Sequence, residues 1–359
     1  MKPNTGSSRH TFTTIQALRF VAALMVVFTH ATFYIGSRTQ NGLSIWNTGA
    51  QGVHIFFVIS GFVMAWTARP LVGKDGAFRY FLMSRIVRIV PLYWVLNILK
   101  IVQFALVPTI AFVKPDLLNI VLSMLFIPSR NAEGAIETFY GVGWTLNFEM
   151  FFYVVFALCL LLRVRAVLGV TIVMLAAAAL GSIRTPAWPA VTYLLQPMVL
   201  NFVWGLLIAE MYEKRRLFPV WLSVACIAVG FAVIFSYPAP TMEYAGLQYA
   251  MVVWGCVCLE DRIGNLVPRW LTFGGDASYS LYLLHPTVGV VVAMVVGKMH
   301  VGSAIVGIAA VVLCSIAAAA CVYLWFERPT TRLLRAKLLA RDAGKPAPAA
   351  VAEVRASAG

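Results

Sequence analysis

Ile15-Gln-Ala-Leu-Arg-Phe-Val-Ala-Ala-Leu-Met-Val-Val-Phe-Thr-His30 decides the class of this chain. The apolar run continues to Gly36, about the 20 residues that a helix needs to cross a bilayer. Two ionisable side chains interrupt it. Arg19 and His30 are eleven residues apart. At about 100° per residue that spacing returns both to nearly the same face, roughly 16 Å apart along the axis. An ionisable group in the hydrocarbon core is costly, so its presence there points to function. The segment follows a short polar arm with Lys2 and Arg9 and lacks a small-x-small cleavage site. It reads as a retained transmembrane helix rather than a signal peptide.

The rest of the chain repeats this pattern. Of its 359 residues, 61% are hydrophobic and 12% are charged, about half the charge of an average soluble domain. Ten segments have bilayer-crossing length, near 15–36, 50–68, 89–107, 143–162, 166–183, 191–212, 217–237, 243–260, 274–297 and 302–326. The expectation is an all-α, polytopic integral membrane protein with about ten transmembrane helices. The shorter apolar stretch 117–127 ends at Pro128 and reads as re-entrant or interfacial. With both termini inside, 22 of the 28 Lys and Arg fall on inner segments. Only Arg38, Lys100, Lys114, Arg130, Arg184 and Lys298 lie elsewhere. That asymmetry places both termini in the cytoplasm. It also accounts for the net charge of +14 through membrane insertion and anionic lipid, without nucleic acid. The expected organisation is a cytoplasmic arm (1–14), a transmembrane domain (15–335) and a cytoplasmic tail (336–359) rich in Ala, Pro and Gly, expected to be disordered. The six cysteines sit in apolar runs without zinc-like spacing, so free buried thiols and no metal are expected.

A few polar residues break the apolar pattern. Arg85 and Arg88, spaced i,i+3, share one side just before Ile89-Val-Pro-Leu-Tyr-Trp opens the third span. Guanidinium groups suit bidentate phosphate binding, and they also serve as inner-surface anchors. Glu149 lies in Gly143-Trp-Thr-Leu-Asn-Phe-Glu-Met-Phe-Phe-Tyr153, roughly 9 Å inside the outer end of its span. His30 falls at the same depth, ~20 Å from the inner end of the first span. A carboxylate beside an imidazole would fix its tautomer and raise its basicity, as a general base requires. Ser278, Tyr282 and His285 share a helical face by i,i+4,i+7 spacing and either line a substrate cavity or glue helices together. Trp144 and Tyr153 flank Glu149 and join them as candidate substrate-binding residues. His54 lies near the outer mouth of the second span, close to Gly61, which permits close helix approach. His10 and His300 read as solvated. Gly-x-Ser-x-Gly, His-Glu-x-x-His and Walker loops are absent. No His is followed five residues later by Asp.

Several of these segments together resemble the membrane acyltransferase family 3, with wording similar to bacterial exopolysaccharide O-acetyltransferases. They are Leu18-Arg-Phe-Val-Ala-Ala with its Arg-x10-His spacing, Gly52-Val-His-Ile-Phe-Phe-Val-Ile-Ser-Gly-Phe, Arg85-Ile-Val-Arg-Ile-Val-Pro-Leu-Tyr-Trp, Gly143-Trp-Thr-Leu-Asn-Phe-Glu-Met-Phe-Phe-Tyr, Ser278-Tyr-Ser-Leu-Tyr-Leu-Leu-His-Pro and Glu327-Arg-Pro. They occur in the family's order. The family often has an acidic residue before Ile-Phe-Phe, where this chain has His54. The resemblance implies a multi-pass enzyme of the bacterial inner membrane that uses cytoplasmic acyl-CoA, acetyl-CoA above all, as co-substrate. The acceptor it implies is a hydroxyl of a glycan or lipid-linked saccharide such as an exopolysaccharide. It further implies that Arg19 and His30 are needed for activity and that Arg85 and Arg88 serve the donor. The fused periplasmic hydrolase-like domain of some members is not expected here. The resulting expectation is an O-acyltransferase with His30 and Glu149 as catalytic pair and Arg19, Arg85 and Arg88 on CoA. A transporter or flippase of a lipid-linked saccharide is the alternative, against which the absence of an internal repeat counts. Membrane lipid is a partner by necessity, and homo-oligomer formation is left open.

Overall fold

The computed structural model describes residues 12–39, 43–106, 116–237, 246–300 and 302–339. Most of the expected arm, with His10, and the tail from 340 onward lie outside the described residues, as does Lys114. The described residues form helices α1 (Thr13–Thr39), α2 (Gly52–Ala68), α3 (Ala77–Leu106), α4 (Leu117–Met124), α5 (Trp144–Leu161), α6 (Ala166–Ser182), α7 (Leu200–Glu213), α8 (Val220–Ser236), α9 (Leu247–Ile263), α10 (Arg269–Asp276), α11 (Ser278–Lys298), α12 (Ala304–Val322) and α13 (Arg328–Leu339). Among the described residues there is no strand, only an isolated bridge between Arg130 and Ile136. A helix lies within each of the ten expected segments. Six of these helices are long and apolar enough to cross a membrane: α1, α2 with its flanking turns, α3, α5, α11, and α12 with its continuation. α6 and α8 are shorter apolar helices.

Three boundaries differ from the sequence reading. α3 starts at Ala77 rather than 89, so Arg79, Arg85 and Arg88 ride on the helix instead of preceding it. Arginine is a good helix former, so the helix outlasts the apolar segment that marked it. The segment 191–212 is α-helical only from Leu200. Ala190–Leu195 and Pro197–Val199 are tight 3-10 turns, with Pro189 and Pro197 lacking the N–H that a continuous helix needs there. The segment 274–297 is split at Ala277, just after Gly274-Gly275, the local minimum of helix preference.

α1 is packed on α2, α9, α10, α11 and α12. Its first turn is held by a carboxylate from another helix. Glu260 of α9, buried, accepts from the backbone N–H groups of Thr13 (2.8 Å) and Thr14 (2.9 Å) and from both threonine hydroxyls. These amides have no partner within the helix, and a negative charge suits that end. The cap fixes the height of α1, and with it the heights of Arg19 and His30. α2 and α7 cross tightly at Gly61 and Gly205. A Cβ on Gly61 would stand 2.1 Å from the Phe202 carbonyl oxygen, and one on Gly205 would stand 2.1 Å from that of Val58. Only glycine allows this approach.

The outside of the bundle is apolar. Leu99, Leu168, Ile305 and Leu313 are exposed on α3, α6 and α12. α4 turns Leu117, Leu118 and Val121 outward and buries Asn119 and Ser123. Such a surface suits lipid rather than water. The ion pairs Arg69–Glu213, Arg163–Asp75, Arg165–Glu210 and Arg215–Asp261 gather at one end, where α2, α5, α7 and α9 finish.

Candidate active site

A cavity of about 100 Å³ lies between α1, α2, α3, α5 and α11. Its polar lining is Arg19 of α1, Ser60 of α2, Arg85 and Arg88 of α3, Thr145, Glu149 and Tyr153 of α5, and Ser278, Tyr279 and Tyr282 of α11. Seven residues singled out by sequence therefore meet around one space: Arg19, Arg85, Arg88, Glu149, Tyr153, Ser278 and Tyr282.

Acids and bases are interleaved around it. Glu149 faces the hydroxyls of Tyr153 and Ser60 and the guanidinium groups of Arg88 and Arg19. Tyr153 and Ser60 are 3.3 Å apart, oxygen to oxygen. Arg19 donates to Gln16 Oε1 at 3.0 Å, and Gln16 Nε2 donates to Asp276 Oδ1 at 2.8 Å, a relay that ties the arginine to the end of α10. Glu327 accepts from the Ser280 hydroxyl at 2.5 Å and also feels Arg88 and Arg19. It arrives there on Tyr323–Glu327, a widened π-type turn between α12 and α13, a device often found at functional sites. Arg19 and Arg88 are thus balanced by Glu149, Asp276 and Glu327.

Arg85 differs. The groups acting on its charge are Tyr153, Tyr80 and two more arginines, Arg88 and Arg335. Its Nε is buried without a hydrogen-bond partner, and its guanidinium lies 5.7 Å from the Phe81 ring centroid. A half-buried guanidinium with an unpartnered Nε, beside two further arginines, is stabilised when an anion arrives. Phosphate oxygens match a guanidinium fork in charge and shape.

His30 is not beside Glu149, contrary to the sequence expectation. Its neighbour is His285 of α11, with ring centroids 4.7 Å apart and planes at 60°. The depth estimate placed both groups at one height but said nothing of direction around the helix axes. α1 packs along α11, whereas α5 packs on α3 and α6. His30 Nδ1 lies 3.0 Å from the Val26 carbonyl oxygen, so Nδ1–H donates and Nε2 keeps its lone pair. The imidazole pair adjoins the cavity through Tyr282, whose ring is 5.9 Å from that of His285 and whose hydroxyl meets Thr145 Oγ1 at 2.9 Å. Trp144 is not a lining residue either; it packs edge-on against Phe148. His54 stacks on Tyr249 at 4.9 Å and meets Asn201 Nδ2 at 3.0 Å, an interhelical polar contact of α2, α7 and α9.

Sequence reasoning missed Ser60, Thr145, Tyr279, Gln16 and Asp276 as site residues. Hydroxyls inside apolar runs carry no signal that separates packing from lining. Glu327 was visible only as part of Glu327-Arg-Pro.

Residues 12–324 match the model of the acyltransferase domain family, acyltransferase 3. The chain belongs to this acyltransferase family. The exopolysaccharide production protein ExoZ of Rhizobium meliloti (strain 1021) is 33% identical over 324 residues, which cover 85% of this chain and 96% of that relative. No solved structure matches the chain. The cavity thus gathers three guanidinium groups, and the His30–His285 pair lies next to it beyond Tyr282.

Proposed function

We propose that this acyltransferase moves an acyl group, acetyl in the first instance, from cytoplasmic acyl-CoA to a hydroxyl of an exopolysaccharide or its lipid-linked precursor. In this reading ten helices span a bacterial inner membrane with both termini in the cytoplasm. Arg85 and Arg88 bind CoA phosphates near the inner surface, and Arg19 assists. Glu149 and Asp276 act as counter-charges that hold Arg88 and Arg19 extended while the site is empty. The thioester reaches the neighbourhood of Tyr282 and His30. His30 Nε2 takes the proton of the acceptor hydroxyl as its oxygen attacks the thioester carbonyl. The carbon–sulfur bond then breaks, and the proton passes to the departing thiolate, giving ester and free CoA.

The observation that carries this reading is Arg85, a half-buried cation whose Nε is buried without a hydrogen-bond partner, on a cavity that also gathers Arg19 and Arg88 and lies next to the His30–His285 pair. ExoZ's role in exopolysaccharide production supports the acceptor class. Mass spectrometry of surface glycans from cells with and without the chain tests it. Acyl esters on sugar hydroxyls that depend on the chain are expected. Identical glycans in both cells, where the protein is inserted and its acceptor is made, contradict the reading.

A further inference from the structure

The geometry points to His285 as the positioning partner of His30, the group that takes up the charge formed on His30 during transfer. This rests on the reading of His30 as the base. Two facts on α11 single it out. His285 is 1% exposed, and its Nε2 is buried with no hydrogen-bond partner. Its Nδ1 lies 3.3 Å from the Leu281 carbonyl oxygen, the same i−4 arrangement as His30 Nδ1 with Val26. Both rings therefore carry their proton on Nδ1 and leave the other nitrogen as a lone pair.

Two neutral imidazoles with 4.7 Å between centroids have nothing to share in the resting state. The situation changes when His30 Nε2 takes the hydroxyl proton. A cation then appears in an apolar region, and no carboxylate is among the groups acting on either ring. The other polar groups at hand are hydroxyls: Tyr34 and Tyr282 beside the rings, and Tyr140, which donates to the Leu283 carbonyl and meets Thr287 Oγ1 at 3.0 Å. A small turn of the rings lets the new His30 Nε2–H donate to His285 Nε2. That N–H···N bond spreads the charge, and it breaks when the proton leaves with the CoA sulfur. His285 gains and loses no proton overall.

The test uses the full chain in detergent, with acetyl-CoA as donor and alkali-de-esterified exopolysaccharide as acceptor. His285→Leu keeps bulk and removes the acceptor nitrogen. It is expected to lower kcat by roughly 10–100-fold at unchanged KM for acetyl-CoA, a loss on the scale of one well-placed proton-handling group. His285→Gln offers an amide oxygen in place of the nitrogen and is expected to recover part of that loss. Full activity in His285→Leu, or equal losses in the two variants, overturns the pairing and leaves the role of His30 standing. Loss of the pairing's foundation has a separate signature, a fully active His30→Ala. Should the variants not fold, 15N spectra of histidine-labelled native protein decide: a pyridine-type Nε2 on His285 is expected, and a protonated one overturns the pairing.

Discussion

Arg85 carries the clearest prediction at the scale of single residues. Arg85→Ala is expected to weaken acetyl-CoA binding at least about tenfold, the loss of a charge-assisted contact worth ~1.5–3 kcal/mol, with acceptor affinity unchanged. Arg85→Lys is expected to recover only part of the loss, because an ammonium lacks the planar fork. Calorimetry with acetyl-CoA on the purified variants measures both, and unaltered donor affinity in Arg85→Ala contradicts the phosphate role. At this scale much of the site was legible. Charged groups are scarce in this chain, so Arg19, Arg85, Arg88 and Glu149 stood out, and all four line one cavity. The pairing of His30 was not legible. A rise per residue fixes height along an axis, and the partner depends on which helix packs alongside. Ser60 and Tyr279 were silent for another reason: a hydroxyl between apolar neighbours looks the same in a packed core and in a binding wall.

Among the helices, the placement of α1 depends on a cap that it does not own. Glu260→Ala removes the acceptor for two backbone amides and two hydroxyls at Thr13 and Thr14. A destabilisation of about 1–3 kcal/mol is expected from the buried donors left unpaired. It should appear as a lower melting temperature in detergent, together with weaker donor binding as Arg19 drifts. A melting temperature equal to that of the unsubstituted protein contradicts the cap. The α2–α7 crossing makes a harsher prediction. Gly205→Leu puts a side chain where a Cβ alone would already be 2.1 Å from a backbone oxygen, so loss of folded protein on size-exclusion chromatography is expected. Normal elution would show that the two helices can separate at no great cost. The helices themselves were readable because apolar length is a strong signal. Their ends were not, because lipid boundary and helix boundary are different things, as α3 shows by running from Ala77 through both arginines.

For the molecule as a whole, charge distribution and fold make one statement about orientation. The ion pairs of Arg69, Arg163, Arg165 and Arg215 cluster at one end of the bundle, the end that the proposed function puts in the cytoplasm. Alkaline phosphatase fused after Leu339 is expected to be inactive, and the same enzyme inserted after Asn131 is expected to be active. The reverse pattern would put the arginine cavity on the wrong side for a cytoplasmic donor. At this scale the proposed function needs a passage from the arginine cavity, past Tyr282, to His30. Transfer of labelled acetyl from acetyl-CoA to de-esterified exopolysaccharide, measured for the purified chain and for His30→Ala, probes that passage directly. The unsubstituted chain should label the glycan and release CoA, while His30→Ala should bind acetyl-CoA normally and label at least about 100-fold more slowly. Labelling by His30→Ala at the unsubstituted rate would mean that the imidazole is not the base.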